Sequence, residues 1–160
     1  MIKEKEVINE TADRELVFTR LLNAPRELVF RAWTDPKHLI HWWGPKGFTN
    51  TFQEIDVRPG GVWLFIMHGP DGVDYPNRIV YNEIVKPERI SYSHDSGNDD
   101  DPGQFKTVVT FEKEGNKTRL TMRAIFVSAA ERDQVVKEFG AVDGANQTLD
   151  RLEEQLAKMV

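Results

Sequence analysis

The chain has 160 residues and a mass of 18.4 kDa, the size of one domain whose core is large enough to fold without disulfides. Its 26 acidic residues outnumber its 21 basic ones, and this net charge of −5 argues against a nucleic-acid-binding protein. The sequence has no cysteine, no signal peptide and no apolar run of about 18 residues, which excludes a disulfide scaffold or thiol enzyme and predicts a cytoplasmic protein without stable membrane insertion. We treat residues 13–160 as a single domain that follows a flexible segment at residues 1–12.

The first quarter of the chain predicts one strand and two short helices. Residues 14–23 are rich in strand-forming side chains and predict the strand. Pro25 then begins a helix over about residues 25–34. Asp35 is placed to cap a second helix, and Pro36 suits its first position.

The remainder predicts a meandering sheet and a long C-terminal helix. Alternating apolar residues between Gly- and Pro-rich turns predict strands at 48–58, 62–68, 78–86, 90–94, 105–113 and 117–127. Ser128 and Glu131 form a capping pattern, and apolar residues spaced by three and four predict one helix over about 129–159. The fold class is therefore α+β, with a curved antiparallel sheet of six to seven strands that has one dry face.

Few side chains are arranged for catalysis or metal binding. His38 and His41 are three residues apart on a predicted helix, but no acidic residue completes a metal site, so we expect surface histidines and neither metal nor cofactor. No nucleophile, base and orienting residue can be identified together, so the sequence does not predict an enzyme. Tyr81 and Glu83 should share one strand face and could orient a ligand; alternatively, Glu83 pairs with an arginine such as Arg78.

Two further segments could border a pocket. Trp42-Trp43-Gly44-Pro45 is either a pocket lid or a part of the core with a rigid turn. The polar loop at about 95–103 is a solvated loop that could gate entry.

Several short motifs carry a family resemblance over about residues 13–157. They are Arg31-Ala32-Trp33-Thr34-Asp35-Pro36, Trp42-Trp43-Gly44-Pro45, Arg58-Pro59-Gly60-Gly61-Val62-Trp63, Met67-His68-Gly69-Pro70-Asp71-Gly72, Tyr75-Pro76, Tyr81-Asn82-Glu83-Ile84, Pro87-Glu88-Arg89-Ile90 and Leu149-Asp150-Arg151-Leu152. In this order they resemble bacterial proteins similar to the C-terminal domain of the activator of the ninety-kilodalton heat-shock protein ATPase. The resemblance implies the helix-grip fold of the START-like superfamily, in which the sheet wraps a long C-terminal helix and the space between them often binds an apolar ligand. Many relatives have tryptophan where this chain has Ala145, so we expect either a larger cavity here or another ring in the place of the indole.

The resemblance implies binding of a small hydrophobic molecule, such as a lipid, a polyphenol or a polyketide, between the sheet and the C-terminal helix. The alternatives are a co-chaperone-type module with a chaperone partner, and a cyclase or hydrolase that uses the same cavity. The residues expected to line the cavity are Trp43, Trp63, Phe65, Met67, Val109, Phe111, Met122, Phe139, Val142 and Ala145, and those expected to supply polarity are Tyr81, Glu83, Tyr92 and Asn146.

Overall fold

The computed structural model describes residues 9–95 and 104–159, so the expectations for the N-terminal segment and for the loop at about 95–103 fall largely outside it. Within these residues the chain forms one sheet, as predicted, and four α-helices, one more than the sequence predicts. The elements are a 3-10 helix Asn9–Arg14, β1 Glu15–Leu22, α1 Arg26–Thr34, α2 Pro36–Trp42, β2 Thr49–Ile55, β3 Val62–His68, β4 Asp74–Val85, β5 Arg89–Asp95, β6 Phe105–Glu114, β7 Lys117–Phe126, α3 Ala129–Phe139 and α4 Ala141–Met159.

The sheet is antiparallel throughout, with the strand order β1-β7-β6-β5-β4-β3-β2. Strands β2 to β6 are each paired with the next strand in the chain, as expected for short strands joined by tight turns. Strand β1 pairs with β7, with Glu15 opposite Ile125. Helix α4 packs on β1, α1 and α2 and covers the dry face of the sheet, which confirms the predicted fold class.

Local capping explains where the helices begin. The Asp35 side chain accepts a hydrogen bond from the backbone N–H of Lys37 at 3.0 Å, and Pro36 occupies the first turn of α2. The Ser128 hydroxyl oxygen accepts from the N–H of Glu131 at 3.1 Å and caps α3 in the same way. Both caps agree with the sequence-based prediction.

The prediction of one unbroken helix over 129–159 is wrong. Helix α3 ends at Phe139, and α4 begins at Ala141. Between them, Gly140 adopts a left-handed conformation with φ of 59°. The Gly140 N–H donates to the carbonyl of Val136 at 3.2 Å, a helix termination that glycine adopts without the steric penalty of a Cβ atom. The predicted C-terminal helix is therefore two helices: α3 contacts β1 and β7, and α4 packs on β1, α1 and α2.

Aromatic rings fill one part of the space between the sheet and the helices. Trp42 stands edge-on to Trp33, with 4.9 Å between ring centroids, and its indole N–H donates to the carbonyl of Ala32 at 3.0 Å. Trp63 and Phe65 are stacked at 4.3 Å, and Trp63 also lies 4.9 Å from Trp43. Such edge-to-face and offset contacts are favourable arrangements for large buried rings. The neighbouring part of the same space is not filled.

Candidate functional site

An apolar cavity of about 270 Å³ lies between the inner face of the sheet and α4. Its volume exceeds the roughly 150 Å³ of an apolar void that can hold benzene and is close to the lower end of the ~300–1,000 Å³ typical of ligand pockets. The described residues that border it are Leu16, Phe18, Trp33, Trp42, Trp43, Gly44, Pro45, Met67, Tyr92, His94, Phe105, Thr107, Met122, Ala124, Phe126, Val135, Ala141, Gly144, Ala145, Thr148 and Leu149. Most of these side chains are aromatic or aliphatic, so the cavity suits a hydrophobic guest.

The segment Trp43–Pro45, which forms part of the cavity wall, is anchored to α4 by Arg151. The Arg151 Nη1 atom donates to the carbonyls of Gly44 at 2.8 Å, Pro45 at 3.1 Å and Trp43 at 3.2 Å, and Nη2 donates to the carbonyl of His41 at 3.0 Å. Burial lowers the pKa of the Arg151 guanidinium below its usual value. An arginine remains charged in proteins, and its planar array of donors suits several acceptors at once.

Glycine is required at position 44 by its backbone conformation, because its φ of 98° is one that residues with a side chain rarely adopt. A Cβ atom there would also lie 2.7 Å from the terminal methyl group of Met67, a contact that the flexible methionine side chain can relieve by moving. The wall segment therefore packs directly on a side chain that itself borders the cavity.

Tyr92 contributes a buried hydroxyl to the wall. Burial raises the pKa of Tyr92 above its usual value, and a hydrogen bond with the Thr107 side chain partly opposes that effect. The hydroxyl is therefore protonated at neutral pH.

Five of the residues predicted to take part in binding border the cavity, namely Trp43, Met67, Tyr92, Met122 and Ala145. Four others are buried in the adjoining core and are absent from the wall, namely Trp63, Phe65, Val109 and Phe111. They point inward, as their strand alternation predicts, but neighbouring rings pack against them and leave no space. The side chain of Phe139 lies outside the described part of the chain.

The expectation that Tyr81 and Glu83 share a strand face is not met. A β-bulge shifts the register of β4 between these two residues, so that Tyr81 is buried whereas Glu83 is exposed. Burial, reinforced by the nearby Tyr92, raises the pKa of Tyr81. Glu83 accepts a hydrogen bond from Arg89 Nε at 2.6 Å. It therefore pairs with an arginine, as the alternative interpretation expects, but with Arg89 rather than Arg78.

Two residues of α4 also lie away from the cavity, although their sequence positions suggested an inward orientation. The inner face of α4 carries Ala141, Ala145 and Thr148, and a helical repeat then places Val142 at the flank of this face. Val142 is 38% exposed. Asn146 is also exposed and does not border the cavity.

Sequence reasoning missed much of the wall on β7 and α1. Ala124 and Phe126 alternate with outward residues in step with Met122, so the same period-two pattern that selected Met122 could have identified them. Trp33 offered a weaker signal, because its helical spacing was compatible with ordinary core packing. Arg151 was not identified from the sequence as a residue of the site, although the motifs Leu149–Leu152 and Trp42–Pro45 both carry the family resemblance.

A second polar arrangement lies on the outer face of the sheet. His68 Nε2 is 2.7 Å from the Thr51 hydroxyl oxygen, and His68 Nδ1 is 2.7 Å from a carboxylate oxygen of Asp74. This connectivity is that of a hydroxyl–imidazole–carboxylate triad. Its members are exposed, with side-chain accessibilities of 35% for His68 and 62% for Asp74, and none borders the cavity. Acyl transfer would also need donors that stabilise an oxyanion, so we interpret the chain of bonds as a link between β2, β3 and β4.

No group of three or more potential metal ligands occurs among residues 9–95 and 104–159. His38, one of the two histidines considered above, instead contacts Gln155, with 3.2 Å between His38 Nδ1 and Gln155 Nε2. In the same residues, none of the helices combines the length and hydropathy needed to cross a membrane.

The family described as "Activator of Hsp90 ATPase homolog 1-like protein" matches residues 23–157. The chain belongs to this family. Its START-like fold is compatible with ligand binding and with co-chaperone-like roles. No curated protein matches the chain.

Solved structures of bacterial proteins share the fold across nearly the whole chain. A Nitrosomonas europaea protein is 26% identical with a TM-score of 0.83, and the alignment covers 92% of this chain and 97% of that protein. A Mycobacterium smegmatis protein is 26% identical with a TM-score of 0.79, covering 90% and 91% of the two chains. An Arthrobacter aurescens protein has a TM-score of 0.84 at 24% identity, covering 92% and 88%, which shows likeness of fold alone.

Proposed function

We propose that this protein binds a small hydrophobic molecule in the cavity between the sheet and α4. The observation that carries the proposal is the cavity itself, about 270 Å³ of space bordered mainly by aromatic and aliphatic side chains. Side chains around an empty space lose dispersion contacts that a guest of matching shape restores. A hydrophobic guest is favoured because transfer of its surface from water to this wall is favourable.

Ala145 provides the sharpest test, because it borders the cavity and its neighbour Asn146 is exposed. Ala145→Trp places an indole in the cavity, whereas Asn146→Trp places the same group on the outer side of the same helix. The probe is N-phenyl-1-naphthylamine, a neutral molecule whose fluorescence rises in apolar surroundings. We expect saturable binding to the wild type, binding at least about tenfold weaker to Ala145→Trp, and binding within about twofold of wild type for Asn146→Trp.

Equal binding by the two variants would show that the probe binds outside the cavity and would contradict the proposal. Absence of probe binding to the wild-type protein would contradict it as well. The co-chaperone-type role that the family description names would then be the one to examine, by adding the protein to a bacterial chaperone and measuring ATPase activity. The catalytic alternative has less support, since the described wall residues include no aspartate, glutamate or lysine to act with His94 and Tyr92.

A further inference from the structure

Trp33 is a residue of the cavity wall whose buried indole N–H has no hydrogen-bond partner among the residues that the structure describes. It lies near the end of α1, and only 4% of its surface is exposed. Buried polar groups are rarely left in this state, because they lose their hydration on folding and gain no bond in return. Of the polar groups in the wall, this N–H is therefore the one that indicates what a ligand carries.

Two comparable donors in the wall do have acceptors. The Trp42 indole N–H donates to the carbonyl of Ala32 at 3.0 Å, and the Thr148 hydroxyl donates to the carbonyl of Gly144 at 2.9 Å. The neighbours of Trp33 are instead aromatic rings, with centroids 4.9 to 6.1 Å from its own. An N–H that meets a ring face gains less than one that meets an oxygen, so these rings do not replace an acceptor.

A buried indole N–H does not by itself indicate a binding site. The indole N–H of Trp63 also lacks a partner within the described part of the chain, and Trp63 is 2% exposed. Trp63, however, contacts Trp43 and Phe65 in the filled part of the core and does not border the cavity. Trp33 differs because it stands beside about 270 Å³ of space, in which a guest molecule can place an acceptor.

The chemistry of the wall restricts what this acceptor is. An indole N–H only donates, so its partner has to be an oxygen or another acceptor. The described residues that border the cavity include no lysine or arginine, and an ionised carboxylate there would lose its hydration without gaining a partner of fixed opposite charge. A neutral carbonyl group loses less hydration, and one N–H compensates for much of that loss.

We propose that the ligand is a neutral aromatic molecule with a carbonyl oxygen that accepts a hydrogen bond from Trp33 Nε1. This inference rests on the proposed function and deepens it, because it names the class of ligand and the residue that recognises it. The cavity volume of about 270 Å³ fits a ligand of about two fused rings. Wall residues such as Phe18 and Phe126 offer rings on which such a ligand packs.

A matched pair of naphthalenes tests the inference by displacement of N-phenyl-1-naphthylamine at neutral pH. The competitors 2-ethylnaphthalene and 2-acetylnaphthalene share a ring system and have substituents of similar size, and only the second has a carbonyl group. Trp33→Phe removes the N–H and keeps a ring, and Trp63→Phe makes the same change away from the cavity. We expect the affinity for the ketone relative to the hydrocarbon to fall at least about fivefold in Trp33→Phe and to stay within about twofold in Trp63→Phe.

NMR of the wild-type indole groups tests the same bond without relying on a variant that folds poorly. The four tryptophans give four indole N–H signals, and that of Trp33 is assigned through nuclear Overhauser contacts with other residues of α1. We expect the Trp33 signal to move to lower field with the ketone than with the hydrocarbon, because a hydrogen bond deshields the proton. The Trp42 signal should respond equally to both compounds, since its N–H is already bonded to Ala32.

The outcomes separate this inference from the function on which it rests. Equal ratios of ketone to hydrocarbon affinity in the wild type and Trp33→Phe would overturn the inference, as would equal shifts of the Trp33 signal with the two compounds. Displacement of the probe by the hydrocarbon would still support a hydrophobic cavity in either case. Tighter binding of 2-naphthoate than of the ketone would overturn the choice of a neutral ligand. If neither the probe nor the two naphthalenes bind, both proposals fail.

Discussion

The Arg151 guanidinium lies 2.8 Å from the carbonyl oxygen of Gly44, so a residue in the middle of α4 holds the backbone that precedes β2. The two residues are far apart in the sequence, and their contact closes one side of the cavity. Gly44 adopts its positive φ at this point, which lets the backbone approach both the arginine and Met67. The shape of the cavity therefore depends on a polar clamp as well as on apolar packing.

Replacing the clamp should destabilise the protein and weaken ligand binding. A lysine has a single ammonium group and cannot reproduce the four hydrogen bonds of Arg151, so Arg151→Lys should lower the free energy of unfolding by about 1–3 kcal/mol. Urea unfolding followed by tryptophan fluorescence measures the change. Arg132→Lys is the matched control, because Arg132 pairs with the adjacent Asp133 and should change stability by less than about 0.5 kcal/mol. Equal losses in the two variants would refute the clamp.

The two glycines at the start of α4 should respond in opposite directions to alanine. Gly140 has a φ of 59°, so Gly140→Ala should destabilise the protein by about 1–2 kcal/mol through backbone strain, even though no atom obstructs the new methyl group. Gly144 is inside the helix, and a Cβ atom there would meet Pro45 Cγ at an ordinary 3.5 Å. Gly144→Ala should therefore stabilise the protein by up to about 1 kcal/mol through helix propensity. Thermal unfolding of both variants measures the two changes in stability. Changes of the same sign would contradict this assignment.

The buried tyrosines predict a loss of stability at alkaline pH. Burial raises the pKa of Tyr81 above its ordinary value of 10.0, so the folded protein keeps a proton that the unfolded chain releases. The stabilisation is complete below pH 10 and is lost as the pH rises toward the pKa of the folded state. Between pH 10.0 and the pKa of the folded state, each such tyrosine lowers the free energy of unfolding by up to about 1.4 kcal/mol for every pH unit.

Tyr81→Phe removes one of these ionising groups and should make the decline in the free energy of unfolding between pH 10 and 11 less steep than in the wild type. Urea titrations at pH 8, 9, 10 and 11 measure the two curves, and lysine titration contributes equally to both proteins. Parallel curves would show that Tyr81 does not couple its proton to folding.

Much of the fold could be predicted because local patterns and tertiary structure agree. Asp35 and Ser128 cap helices where the sequence places them, and alternation along β6 and β7 identifies the buried face. The bulge at Tyr81 and Glu83 could not be predicted, since a single extra residue leaves no mark on composition and reverses the facing of those that follow. The only sign in the sequence of the helix break at Gly140 was the low helix propensity of glycine.

The candidate site was less predictable than the fold, for a physical reason. Whether inward rings such as Trp63 fill the interior or border a hollow depends on the packing of side chains from several elements, which periodicity does not report. The role of Arg151 depends on contacts with residues more than a hundred positions away. Residues on both sides of such a contact can be recognised as motifs, but the contact itself appears only in three dimensions.

The most direct test of ligand binding is a two-dimensional amide NMR titration of the wild-type protein with 2-ethylnaphthalene. Localised, saturable shifts should appear at the amides of Trp43, Gly44 and Met67, which border the cavity, and along Ala141–Leu149. No shifts should appear at His68 and Asp74 on the outer face of the sheet. Shifts confined to the outer face of the sheet, or no shifts up to the solubility limit of the compound, would contradict a ligand cavity between the sheet and α4.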